Sequence, residues 1–237
     1  MPSPTPRVYR YFDLLISIFV VILLISNLVG QKICAFGPFH IFGWTYTLNA
    51  SGAQLLFPIT YIFGDIFTEV YGYSASRRAI WIGFFACGLM AALGAIVVAL
   101  PPDPKWPNQQ AFATVFGVVP RLVLASLIAF WCGEFANSFV LAKMKLLTRG
   151  RYLWTRTVGS TAIGQAVDTA VLMVVAFAGT LDSAVILNLI VDGYLFKVIY
   201  EVLATPLTYA IVNFLKRTEG LDTFDYKTNF SPFSAKM

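Results

Sequence analysis

Charge is what this chain has little of. Only 12% of its 237 residues are Asp, Glu, Lys or Arg, against about 25% in an ordinary soluble domain. The runs 14–31, 33–64 and 79–102 contain none of the four, and a helix needs about 20 apolar residues to cross a bilayer. Histidine is nearly missing too. With His40 alone, and outside the predicted spans, His-based metal clusters and Ser–His–Asp triads built on a buried His have little material to work with. The three cysteines, Cys34, Cys87 and Cys132, are scattered with no CxxC spacing, which gives no metal framework and indicates no disulfide. No GxxxxGK[ST] phosphate loop occurs, so any ATP-driven activity would need a partner. No cofactor and no metal is expected. The first apolar run exceeds a usual signal-peptide core, and NLVGQKICAF supplies no convincing small-residue cleavage site.

What remains is an apolar chain, 58% hydrophobic, which predicts an all-α integral membrane protein. Its pattern predicts six transmembrane helices in a single domain, near 10–31, 51–72, 77–100, 112–143, 156–180 and 184–215, followed by a cytoplasmic tail, 216–237. Between the third and fourth helices lies PPDPKWPNQQ, whose prolines cannot continue a helix. The segment 33–50 is uncharged but broken by Gly and Pro, and is expected to be an interfacial or re-entrant loop.

Orientation follows from the basic residues. With the N-terminus in the cytoplasm, the inner side receives Arg7, Arg10, Arg77, Arg78, Lys143, Lys145, Arg149, Arg151, Arg156, Lys216, Arg217, Lys227 and Lys236. The outer side receives Lys32 and Lys105 only. Cationic loops resist translocation, so both termini are expected inside. The +5 net charge is then a topogenic signal rather than a mark of nucleic-acid binding. Gly64-Asp65-x-x-Thr68-Glu69 in the second span has a weak counterpart in Gly164-Gln165-x-x-Asp168-Thr169 in the fifth, which suggests a 3+3 inverted repeat.

Inside the spans, polar residues recur at helical spacing. Asp65 and Glu69 stand one turn apart with Tyr61 on the same stripe, as do Glu134 and Asn137, and Gln165 and Asp168. The sixth span carries Asn188, Asp192, Lys197 and Glu201, and Arg121 stands near the outer end of the fourth. A carboxylate in hydrocarbon costs about 2.5–3.5 kcal/mol even on lenient scales, and such groups usually face a bundle interior. Spans two, four, five and six are therefore expected around a polar cavity, with the bare third span peripheral and offering surface for a homodimer. Structural readings compete: Asp65 and Glu69 against Arg77 or Arg78, Lys197 against Glu201, Arg121 against Asp192 or Asp182, and Asp13 on a helix N-terminus. An aspartyl dyad of Asp65 and Asp168 lacks the flanking glycine such a motif wants. A channel would repeat small polar residues or charge rings along a pore.

The segments FGDIFTEVYGYSASRRAIWIGF, GEFANSFVLAKMK, RTVGSTAIGQAVDT and KVIYEVLATP together resemble the queuosine precursor transporter family, over about residues 11–216. The most specific motif is GDxxTEVYGY followed by the Arg pair. The resemblance implies six spans in a bacterial inner membrane. It also implies uptake of 7-cyano- or 7-aminomethyl-7-deazaguanine for tRNA modification; the alternative is a binding subunit served by a separate ATPase. A guanine-like base presents adjacent N1–H and NH2 donors, which a carboxylate accepts as a charge-assisted pair. Glu69 or Glu134 is expected on that edge, with Asp168 as the second candidate, and Asn137 and Gln165 on the carbonyl edge. Phe67, Tyr71, Tyr194 and Phe196 compete to wall the ring. Asp65 and the Lys197–Glu201 pair are expected to couple conformational change.

Overall fold

The computed structural model describes residues 9–30, 32–41, 44–117, 120–179 and 182–234, with only the backbone described at 33, 39, 41, 44, 46–51, 54, 120–122, 188, 189 and 192. Helix α1 (Phe12–Val29) leads into a hairpin of β1 (Ile33–Ile41) and β2 (Trp44–Ser51). Then come α2 (Gly52–Ile66), a π-helical turn (Phe67–Tyr71), α3 (Tyr73–Ala99), a short α4 (Gln109–Phe116), α5 (Pro120–Leu147), α6 (Leu153–Phe177) and α7 (Ser183–Glu219). Among the described residues, five stretches are long and apolar enough to cross a membrane, in α1, α3, α5, α6 and α7. Helix α2 has 15 residues and gains five more in the π turn that continues it.

Two segments differ from the sequence reading. The expected loop at 33–50 is an antiparallel hairpin, paired from Ile33↔Ser51 to Ile41↔Trp44 with an irregularity between Phe36 and Phe39. Its Ile, Phe, Trp, Thr and Tyr content suits strands, and pairing bonds the backbone groups that face the partner strand. The helix expected at 112–143 is divided. Pro120 stands where α5 begins, where its missing N–H costs nothing, whereas inside a longer helix it would break the ladder.

The helices close a ring in which α1 packs on α3, α3 on α5, α5 on α6, α6 on α7, α7 on α2 and α2 on α1, while α2 also touches α5. From Pro58 to Tyr73 every residue but Ile59 and Phe63 is buried, so α2 and its π turn are the most enclosed part of the chain. Rings of Phe12, Phe19, Phe63 and Phe67 meet edge-on or tilted along its α1 side. The C-terminal half of α3 behaves as expected of a peripheral span, with Phe85, Leu89, Leu93, Ile96 and Val97 exposed. Helices α5 and α6 cross closely because Gly133 meets Gly164: a Cβ on Gly164 would stand 2.9 Å from the Gly133 carbonyl oxygen. Small residues allow this approach between membrane helices.

The segment after α7 is docked against the bundle. It runs across the α2–α3 junction, where Gly72 adopts φ +90° and leaves room for Thr223. The Thr223 amide donates to the Val70 carbonyl at 3.4 Å. The Asp225 carboxylate accepts from the Tyr73 amide at 3.1 and 3.2 Å and from the Thr228 hydroxyl at 2.7 Å. Tyr73 is the first residue of α3, so Asp225 caps that helix from 152 residues away. Further on, Arg77 donates to the Asn229 and Ser231 carbonyls, and the Trp81 indole to the Pro232 carbonyl. Asp225→Ala leaves the buried Tyr73 amide unpaired and is expected to cost about 1–3 kcal/mol. A lowered thermal midpoint of the detergent-purified variant is the readout, and an unchanged midpoint would show that the tail cap carries no stability.

Candidate functional site

Helices α2, α5, α6 and α7 bring one group of side chains into the bundle interior. Tyr61 and Asp65 come from α2, Glu134 and Asn137 from α5, Gln165 and Asp168 from α6, and Glu201 from α7; none is more than 3% exposed. The Asn137 Nδ2 donates to Asp65 Oδ1 at 2.9 Å. Glu134 presses against α2 where Gly64 has no side chain, and a Cβ there would stand 2.6 Å from Glu134 Oε2. A Cβ on Gly133 would meet the Tyr61 hydroxyl at 2.5 Å and Asp168 Cβ at 2.6 Å. Lys197 does not reach back to Glu201 as its spacing suggests. Its Nζ donates to Asp168 Oδ2 at 2.5 Å and to Thr169 Oγ1 at 3.2 Å.

Most of this cluster is chemically unspent. Among the described residues, no hydrogen-bond partner reaches the Tyr61 hydroxyl, Asp65 Oδ2, Asn137 Oδ1, Gln165 Oε1 or either carboxylate oxygen of Glu134 and Glu201. A buried polar atom left unbonded costs about 1–3 kcal/mol, more when charged. Nearly all of these atoms are acceptors, so the cluster is suited to a ligand rich in N–H donors. Asn137 and Gln165 differ from expectation here. The Asn137 amide nitrogen is taken by Asp65, and both residues present a carbonyl oxygen, not an amide donor, as the unpartnered atom.

One turn further along the same helix the chemistry reverses. Glu69 is fully enclosed and fully paired. Arg156 Nε donates to its Oε2 at 2.7 Å and Nη2 to its Oε1 at 2.8 Å, Lys216 approaches Oε1 at 2.5 Å and Lys145 at 3.5 Å. Asp222, from the docked C-terminal segment, joins Lys145 at 2.6 Å and Lys216 at 2.9 Å. This clasp draws α2, α5, α6, α7 and the tail together at one end of the bundle. The sequence reading offers Glu69 either a substrate or Arg77 and Arg78; the structure gives it Arg156 instead. In the sequence Arg156, Lys145 and Lys216 are topogenic charges only, and no local pattern distinguishes them from other loop cations. The inner ends of the second and fifth spans do fall at the same level in the six-span reading, which is the one signal that points this way.

The aromatic candidates divide as well. Tyr71 donates its hydroxyl to Glu219 at 2.9 Å and packs on Tyr9 and Phe12, and Phe67 lies in the α1-facing ring cluster. Neither is bonded to or stacked on the buried acceptor cluster in these contacts. Tyr194 and Phe196 are half-buried on α7. The side chains of Arg121 and Asp192, read as an outer pair, lie outside the described residues, and Asp182 is exposed.

Residues 51–211, which carry the whole acceptor cluster, match a family model described as "Putative vitamin uptake transporter". The chain is also 29% identical over 181 residues to a protein named "Probable queuosine precursor transporter" from Bacillus subtilis (strain 168), covering 76% of this chain and 77% of that one. Family and relative are both transporters rather than enzymes. No solved structure matches.

Removing the Arg156 guanidinium leaves the Glu69 carboxylate buried with two lysines. Breaking a buried pair from one side costs about 3–5 kcal/mol, and the remaining Lys145 and Lys216 place Arg156→Ala near the lower figure. Its thermal midpoint should fall well below that of wild type and of Arg78→Ala, whose side chain is exposed. Equal midpoints for the two variants would mean that the clasp is ornamental to stability.

Proposed function

We propose that this chain, which belongs to the vitamin uptake transporter family, imports a 7-deazaguanine precursor of queuosine across a bacterial inner membrane by alternating access. The observation that carries this reading is the acceptor cluster on α2, α5, α6 and α7, buried in the bundle and largely unpartnered. Acceptors without donors, in a place water does not freely reach, call for a ligand that brings donors. A guanine-like edge, with N1–H and NH2 side by side, is such a ligand. Of the three carboxylates expected on that edge, Glu134 is the one for it, because both of its oxygens are unpartnered while Glu69 is consumed by Arg156 and Asp168 by Lys197. A paired carboxylate also rejects bases without those donors, since its own oxygens would then stay unbonded.

Six spans with both termini inside complete the reading, α2 and its π turn forming the second. The thirteen inner against two outer basic residues support that orientation. The Glu69 clasp then stands at the cytoplasmic end and forms the inner gate, directly inward of the Asp65 level. For the base to leave, α2 must part from α6 and α7, and the Arg156 and Lys216 contacts are what resist that parting. The Lys197–Asp168 pair, within the site itself, is the natural element to couple binding to movement. The uncovered outer half of α3 is the surface on which two copies would meet.

Glu134→Gln replaces a charged acceptor pair with one acceptor and one donor. Losing a charged hydrogen-bond pair is worth about 3 kcal/mol, which lowers affinity by about a hundredfold. Uptake of labelled 7-deazaguanine by the purified variant in liposomes should fall accordingly, with wild type active without ATP. Wild-type uptake in the variant would remove Glu134 from the site. Uptake by wild type only with an added ATPase would identify the chain as a binding subunit.

A further inference from the structure

The chain after α7 is wired into the Glu69 clasp. Gly220 turns it back at φ +64°, where an added Cβ would meet nothing within 4 Å. Beyond the turn, Asp222 bridges Lys145 and Lys216, and the Thr223 carbonyl accepts from Lys145 Nζ at 2.7 Å. The same Nζ donates to the Glu69 carbonyl of the π turn. It also lies 4.7 Å from the centre of the Phe224 ring. That ring fills the space left by Gly150, where a Cβ would stand 2.9 Å from Phe224 Cζ. Gly150 in turn gives its carbonyl to Arg156.

Charge and exposure single out one member of this network. Arg156, Lys145 and Lys216 bring three positive charges to the one carboxylate of Glu69, and Asp222 supplies a second negative charge. The Asp222 side chain is 46% exposed, whereas that of Glu69 is fully enclosed. An ion pair open to water is made and broken at little cost, so Asp222 is the clasp member that can let go. The rest of the tail is fastened elsewhere. Asp225 holds the Tyr73 amide, the Tyr73 hydroxyl donates to the Phe230 carbonyl at 2.9 Å, and Arg77 and Trp81 donate to carbonyls further on. All of these partners lie on α3.

We propose that residues 220–233 are a strap that latches the inner gate. Residues 225–233 anchor it on α3, and Asp222 and Thr223 close it. Opening parts α2 from α7, so Asp222 must first leave Lys145 and Lys216, and the Thr223 amide must leave the Val70 carbonyl. This rests on the reading of the Glu69 clasp as the inner gate. A tail that only packs on the bundle would stabilise open and closed states alike; a strap makes the share of closed protein depend on Asp222.

The test reads gate opening without any substrate. Thr161 lies on α6 between Arg156 and Gln165, is 1% exposed, and has no hydrogen-bond partner for its hydroxyl among the described residues. Thr161→Cys, in a chain whose Cys34, Cys87 and Cys132 are alanine, is the reporter. A membrane-impermeant maleimide is applied from either side in oriented vesicles. Asp222→Asn should speed labelling from the cytoplasmic side by about threefold or more, with outer labelling unchanged, and Asp222→Glu should return it towards the parent rate. Gly220→Val should also speed it, because a β-branched residue resists the left-handed turn while altering no clasp side chain. That second variant keeps the test decisive if Asp222→Asn does not fold. Parent rates in both variants overturn the strap and leave the gate reading intact. Faster labelling from both sides also overturns it, since that is a loosened fold. Faster labelling from the outer side alone sinks the inner-gate reading, and the strap with it.

Discussion

The carboxylate of Glu69 is the point at which four helices and the C-terminal segment meet. It lies in the π turn that continues α2, accepts two hydrogen bonds from Arg156 on α6, and lies beside Lys145 of α5 and Lys216 of α7. An acid at that depth cannot remain charged without partners, and the partners available are cations near the ends of neighbouring helices. Meeting that demand draws the helix ends to within hydrogen-bond distance of one side chain. It also recruits Asp222, which bridges Lys145 and Lys216, so the chain after α7 folds back across the α2–α3 junction. The Asp225 cap on Tyr73, the room at Gly72 for Thr223, and the carbonyls that receive Arg77 all follow from that return path.

Asp65, one turn away on the same helix, is treated in the opposite manner. It has one amide donor and one oxygen unpaired, in a group where Glu134 and Glu201 have no hydrogen-bond partner among the described residues. The contrast separates structure from function within a single stripe. Where the chain needs an acid for architecture, it supplies cations to excess; the acids it leaves unsatisfied are those that the proposed function assigns to a ligand. Glycines make this possible from two sides. Gly64 admits the Glu134 carboxylate against α2, and Gly164 admits the body of Asn137 against α6, with a Cβ there only 2.7 Å from Asn137 Cβ. Helix α5 can thereby hold its polar stripe between two partners without being pushed away.

Much of the site is legible in the sequence. The helical spacing of Asp65 with Tyr61, Glu134 with Asn137, and Gln165 with Asp168 indicates which faces turn inward, and all six are buried together. The same periodicity places Glu69 with them, and there it misleads, because one turn of helix separates two environments that sequence spacing cannot tell apart. Lys197 and Glu201 illustrate the same limit. Their spacing permits a pair, yet Lys197 turns across to Asp168, which gives it a second partner in Thr169. The hairpin at 33–51 is hidden for a different reason: absence of charge suggests proximity to lipid, and that signal masks the strand propensity of Trp44–Ser51.

What the sequence by itself determined is therefore local and additive. Runs without charge set where helices can cross a bilayer and the prolines of 101–107 mark where α3 has ended, since each of these depends on neighbours within a few residues, while the imbalance of Lys and Arg over the loops favours an orientation. Only the tertiary structure decided which acids are answered and which are not. Arg156 reaches Glu69 across 87 residues, Asn137 reaches Asp65 across 72, and Asp225 reaches Tyr73 across 152. Electrostatic satisfaction is a property of what lies within a few ångströms in space, and for a buried charge that distance has no counterpart along the chain.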